Sequence, residues 1–132
     1  MKKEKLYIEH ELKSNSPTII WQLISTAAGL ARWIADEVEM DGHTVKLAWG
    51  NPLMHYDFRR LEVLERVKQS HLRMRWIDED DDEAFLEIRM AKSDLTGDYM
   101  LLITDYAQPE DIELLRDIWD DNLHRLRHSS GL

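Results

Sequence analysis

The chain has 132 residues, 43% of them hydrophobic, and a formal charge of −9. This length favours one domain with one core, and the acidic balance argues against a nucleic-acid backbone as partner. Cysteine is absent, which excludes disulfides and thiolate metal sites. No apolar run follows Met1-Lys2-Lys3-Glu4, and none reaches the roughly 18 residues a spanning helix needs. The expectation is a single unit over residues 1–132, cytoplasmic, without signal peptide or membrane span.

Lys5 to Lys13 alternates, with Leu6, Ile8, His10 and Leu12 on one face and Tyr7, Glu9 and Glu11 on the other. That period is a half-buried strand. Ser16 suits an N-cap and Pro17 the first helical position, and Ile19, Ile20, Leu23 and Ile24 follow at helical spacing. Thr26 can cap a second, short helix carrying Ala27, Leu30, Trp33 and Ile34. The period then changes to two. Glu37 to Met40 ends at Asp41-Gly42, a hairpin signal, and Val45, Leu47 and Trp49 alternate in the next strand. Gly50-Asn51-Pro52 reads as a turn. Met54, Tyr56 and Phe58 alternate, but Leu61 and Val63 are out of phase with them, which predicts a bulge near Arg59-Arg60.

Lys68-Gln69-Ser70 turns the chain into a strand with Leu72, Met74 and Trp76 on one face. Asp78 to Glu83 is a charged loop, Leu86, Ile88 and Met90 mark another strand, and Tyr99 to Asp105 is a strand apolar on both faces. From about Gln108 to Arg127 the chain predicts a long helix. Ile112, Leu114, Leu115, Ile118, Trp119, Leu123 and Leu126 make an apolar arc of about half its circumference. Glu110 and Asp111 stand at its start and Arg125, Arg127 and His128 at its end, as the helix dipole favours. The order is strand, two helices, about six strands, long helix. Strands joined by short turns pair antiparallel, and the resulting sheet needs a cover that the last helix supplies.

This order resembles the START-like superfamily, also called SRPBCC or helix-grip. The residues that carry the likeness are Ser16-Pro17-x-x-x-Trp21 and Leu30-x-x-Trp33 after the first strand. With them go the strand from Leu72 to Trp76 and Trp119-x-x-x-Leu123-x-x-Leu126 near the end. Within the superfamily the chain looks most similar to the branch resembling the activator of a heat-shock chaperone's ATPase. It departs from that branch in its acidic loop and scarce glycines, and it ends soon after the last helix, so no second domain is expected. The resemblance implies an α+β fold, a curved antiparallel sheet of six or seven strands wrapped around the C-terminal helix, with a cavity between them. Members bind lipids, sterols, hormones or polyketides, and a few are cyclases or hydrolases.

Seven residues are candidates to line such a cavity: His10, Trp33, Trp49, Met74, Trp76, Trp119 and Asn122. Asn122 stands in the middle of the apolar arc, where an amide needs a hydrogen-bond partner, a water or a ligand. His10 sits on the apolar face of the first strand and has a side chain suited to contact or acid–base work. The tryptophans fit either core or pocket wall. Arg75 and Arg89 would hold a carboxylate ligand only if they faced inward, and the alternation points them outward.

No catalytic motif is present. There is no G-x-S-x-G, no Gly-rich phosphate loop and no Cys nucleophile, although 26 acidic residues make a chance carboxylate pair easy. The acidic run lacks the pattern of an EF-hand, and the six histidines show no metal spacing. Neither cofactor nor metal is therefore expected. The leading reading is a binding module for a small hydrophobic or amphipathic molecule. The alternatives are an interaction or co-chaperone-like module, with one face of the Tyr99–Asp105 strand as a homodimer contact, and a cyclase- or hydrolase-type enzyme using His10 or a cavity carboxylate.

Overall fold

The computed structural model describes residues 2–51, 53 and 55–132. The expected elements are present, although the second helix stops at Leu30, and Trp33 and Ile34 lie in the turn that follows it. β1 (Glu4–Glu11) is followed by α1 (Pro17–Ser25) and α2 (Ala27–Leu30). Then come β2 (Glu37–Asp41), β3 (Thr44–Asn51), β4 (His55–Val67), β5 (His71–Trp76), β6 (Leu86–Lys92) and β7 (Tyr99–Ala107). A 3-10 turn (Pro109–Asp111) leads into α3 (Ile112–Ser130). The strands form one antiparallel sheet in the order β1-β7-β6-β5-β4-β3-β2, so the first and last strands are neighbours. This is the α+β helix-grip arrangement expected of the sequence.

Local chemistry accounts for the joints. Ser16 Oγ accepts from the Ile19 N–H at the start of α1, and Thr26 Oγ1 accepts from the Gly29 N–H at the start of α2. The two helices touch closely at Gly29, where an added Cβ would lie 2.0 Å from the Gln22 carbonyl oxygen. The β2–β3 hairpin turns at Gly42, whose φ of 60° is in the left-handed region.

One expectation is corrected in β4. It pairs with β3 without interruption from Thr44↔Glu62 to Asn51↔His55, and the irregularity falls between Val63 and Glu65 in its pairing with β5. No bulge lies at Arg59-Arg60. Leu61, fully buried, and Arg59 therefore share the inner face, and Phe58 is on the outer face at 46% exposure. Phe58 is covered there by cations, with Lys46 Nζ 4.7 Å and the Arg60 guanidinium 5.0 Å from its ring centre. The turn expected at Gly50-Asn51-Pro52 starts later than Gly50, since Gly50 and Asn51 still pair within β3 with Tyr56 and His55. Pro52 and the strand position of Met54 lie outside the described residues.

The core fills the space between sheet and helices. Ile20, Ile24, Leu30, Trp33, Leu61, Leu72, Met74, Ile88, Leu101 and Ile103 are essentially inaccessible, and α3 contributes Trp119, Leu123 and Leu126. The apolar arc of α3 is only partly spent on this core. Leu114 and Ile118 are 61% and 46% exposed and Leu115 is half-buried. Arg125 holds the helix to the α2–β2 connection through the Ala35 carbonyl at 3.1 Å and Asp36 at 3.5 Å. The acidic run is less free than a solvated loop. Lys3 pairs with Glu79 at 2.7 Å, and the Lys3 N–H donates to Asp81 at 2.7 Å. Among the described residues no helix is long and apolar enough to cross a membrane.

Candidate functional site

The half-spent arc of α3 borders a cavity of about 430 Å³ between the helix and the sheet. Its apolar walls come from Ile34 after α2, Leu47 and Trp49 on β3, Trp76 on β5 and Leu86 on β6. α3 closes it with Leu115, Ile118, Trp119 and Asn122. Four charged groups border the same space: Arg59, Asp105, Asp121 and Arg125.

Trp49, Trp76, Trp119 and Asn122 are thus together, while three other candidates stand elsewhere. Trp33 points to the same side but lies deeper, fully buried, with its indole N–H donated to the Leu23 carbonyl at 3.1 Å and its ring 6.1 Å from that of Trp119. Met74 shares a face with Trp76 but sits one pleat further into the core, 1% exposed. His10 is on the inner face but across the helix from the cavity. It borders a separate polar depression with Asp120, Leu123, His124, Arg127 and His128. Burial, and secondarily Arg127, holds the His10 imidazole below its usual pKa.

Asp105 is the residue that the sequence reading missed. It continues the inward series Leu101, Ile103 on β7 and is 6% exposed. Trp119 Nε1–H donates to its Oδ2 at 2.9 Å, and the Tyr106 N–H donates to its Oδ1 at 2.8 Å. Burial pushes the carboxyl up to about 6, against the pull of these two hydrogen bonds. Arg59 was missed too. Its guanidinium lies 3.9 Å from the centre of the Trp76 ring and pairs with Asp78 at 3.0 Å. Asn122 is half-buried against the cavity, and among the described residues its amide has no hydrogen-bond partner.

Other chemistry-bearing clusters lie outside the cavity. Ser70 Oγ is 2.8 Å from His71 Nδ1, and His71 Nε2 is 3.0 Å from Glu65 Oε1. The order serine, imidazole, carboxylate is that of a nucleophile relay, but it lies on the outer face, with His71 7% exposed and Arg73 bridging Glu65 and Glu87 above it. Its contacts link β4, β5 and β6. Arg75 and Arg89 face outward, Arg75 toward the Asp82 carbonyl and Arg89 toward Glu87. On the outer face of β7, Leu102 is half-buried between its cross-strand partners Glu9 and Arg89. Among the described residues no group of three or more His, Asp or Glu side chains is placed to hold a metal ion.

An antiparallel sheet gripping a long C-terminal helix over an aromatic-walled cavity defines a helix-grip protein. The START-like superfamily domain matches residues 1–131, and the chain belongs to that superfamily. No curated protein sequence matches it. Among solved structures it is similar to the Bacteroides fragilis protein BfR322, at 36% identity over all of this chain and 94% of that one, with a TM-score of 0.63. It also resembles DynU16 of the dynemicin biosynthetic locus, at 15% identity over 96% of this chain and 48% of that one (TM-score 0.75). A third likeness is to the Aha1 dimer of Colwellia psychrerythraea, at 12% identity over 99% and 98% (TM-score 0.67). At such low identities the last two speak to fold alone.

Proposed function

We propose that this START-like unit binds a small hydrophobic or amphipathic molecule in the cavity between the sheet and α3. The observation that carries the reading is the unspent polar chemistry of an otherwise apolar space. Ligand sites are mostly apolar with a few placed polar groups, and volumes of about 300 Å³ and above are typical of them. Here Trp49, Trp76, Ile34, Leu47, Leu115 and Ile118 supply the apolar surface. The Asn122 amide is unpartnered among the described residues, and the Asp105 carboxylate has acceptor capacity left. A helix acting only as a lid gains nothing from an amide in the middle of its apolar face.

The test is to purify the protein under mild conditions and examine it by native mass spectrometry before and after solvent extraction. A discrete organic adduct is expected, whose removal lowers Tm and whose return restores it. A protein without adduct, with no Tm shift across a panel of lipids and small metabolites, contradicts the reading.

A further inference from the structure

The charges around the cavity select among amphipathic molecules, a selection that rests on the cavity being a ligand site. Both arginines at its border already hold carboxylates of the protein: Arg59 holds Asp78 at 3.0 Å, and Arg125 holds Asp36 at 3.5 Å. The guanidinium of Arg59 is also spread over the Trp76 ring. The two carboxylates at the border are differently placed. Asp105 accepts only from neutral donors, the indole of Trp119 and the backbone N–H of Tyr106. Asp121 has no ion pair among the described residues. Among the described residues, both carboxylates of the site therefore lack an ion-pair partner, one of them nine-tenths buried, while both arginines have one.

We infer that the cavity takes a cationic amphiphile, a compact apolar body carrying one protonated amine that lies against Asp105. An ionised carboxylate offers about four acceptor positions, and Asp105 has two of them filled. An ammonium there gains a charge-assisted hydrogen bond away from water, and the faces of Trp49 and Trp119 attract the same charge. An anionic ligand would meet arginines already paired with Asp78 and Asp36 and would lie beside a buried carboxylate. A neutral alcohol can donate to Asp105 but leaves the charge unpaired.

Isothermal titration with three probes of one shape tests this: 1-naphthylmethylamine, 1-naphthylmethanol and 1-naphthoate, each with the full chain at pH 7.5. The amine is expected to bind about tenfold tighter than the alcohol, the ratio that a one-unit drop in the Asp105 pKa would bring, with naphthoate weakest. The amine should weaken as pH falls below about 6 while the alcohol does not. Arg59 and Lys3 act on Asp105 from β4 and the N-terminal segment, and Asp121 and Arg125 face the cavity from α3. Among the described residues no histidine borders it. Asp105→Asn should remove the amine's advantage and leave alcohol binding in place. Equal binding of amine and alcohol, or tightest binding of naphthoate, overturns the cationic inference while the cavity reading stands. Binding by none of the three overturns both.

Discussion

The indole N–H of Trp119 on α3 donates to Asp105 Oδ2 on β7 at 2.9 Å, joining the gripped helix to the gripping sheet through a buried carboxylate. Hydrogen bonds to charged groups are worth more than neutral ones, and a buried acceptor deprived of its donor bears the full desolvation cost. Trp119→Phe keeps most of the ring packing and removes only the donor. It is expected to lower stability at pH 8 by about 1–3 kcal/mol, and by less at pH 4.5, where Asp105 is protonated. Urea unfolding at the two pH values measures this, and an equal loss at both would separate the bond from the carboxylate's charge.

The same carboxyl makes stability depend on pH with a definite sign. Its folded pKa of about 6 stands above its ordinary 3.8, so the folded state holds this proton more tightly. The stability it contributes is fully present below the ordinary value and is lost as pH rises through about 6. The shift corresponds to something on the order of 3 kcal/mol. The difference in unfolding free energy between wild type and Asp105→Asn should change across pH 4 to 7 in that direction. Parallel curves for the two proteins would show that Asp105 titrates normally.

The contact of α1 with α2 admits no side chain at Gly29, since a Cβ would stand 2.0 Å from the Gln22 carbonyl oxygen and 2.7 Å from the Leu23 Cα. Both neighbours are backbone, so the helices must separate. Gly29→Ala should therefore destabilise by about 1–3 kcal/mol despite the better helix propensity of alanine. Because Leu23 accepts the Trp33 indole hydrogen bond, near-UV circular dichroism should change as well. A neutral or stabilising outcome in thermal unfolding would refute the close approach.

Asn122→Leu separates a packing amide from an anchoring one. The amide has no partner among the described residues, so its removal should leave Tm unchanged or raised. Binding of 1-naphthylmethanol, measured by titration calorimetry, should weaken roughly threefold to tenfold, the value of one net hydrogen bond. A lower Tm with unchanged binding would make Asn122 a structural residue.

Periodicity makes the elements legible and, outside β4, the face to which their side chains point. Helical spacing alone puts Trp119 and Asn122 on the inner side of α3. Depth and lateral position are not legible in this way. Met74 shares a face with Trp76, but only the curvature of the sheet decides which pleat reaches the open space, and Trp33, in the turn after α2, is packed beneath Trp119. His10 faces inward as its alternation says, yet β1 pairs with β7 at the sheet edge and places it across α3 from the cavity. Arg59 is hidden by Phe58, whose apolar ring suggests an inward position although Lys46 and Arg60 cover it from outside. Asp105 has a readable signal, its phase with Leu101 and Ile103, obscured because β7 is apolar on both faces.

The most direct test of the cavity as a ligand site uses the tryptophans themselves. In a ¹H–¹⁵N spectrum, each of the five indole N–H groups gives its own resonance. On titration with 1-naphthylmethanol, the resonances of Trp49, Trp76 and Trp119 should move together and saturate with one Kd. Trp21, on α1 and not among the cavity walls, should stay in place. Saturable movement of Trp21 with the cavity three unmoved, or no movement of any indole, would contradict a ligand site between the sheet and α3.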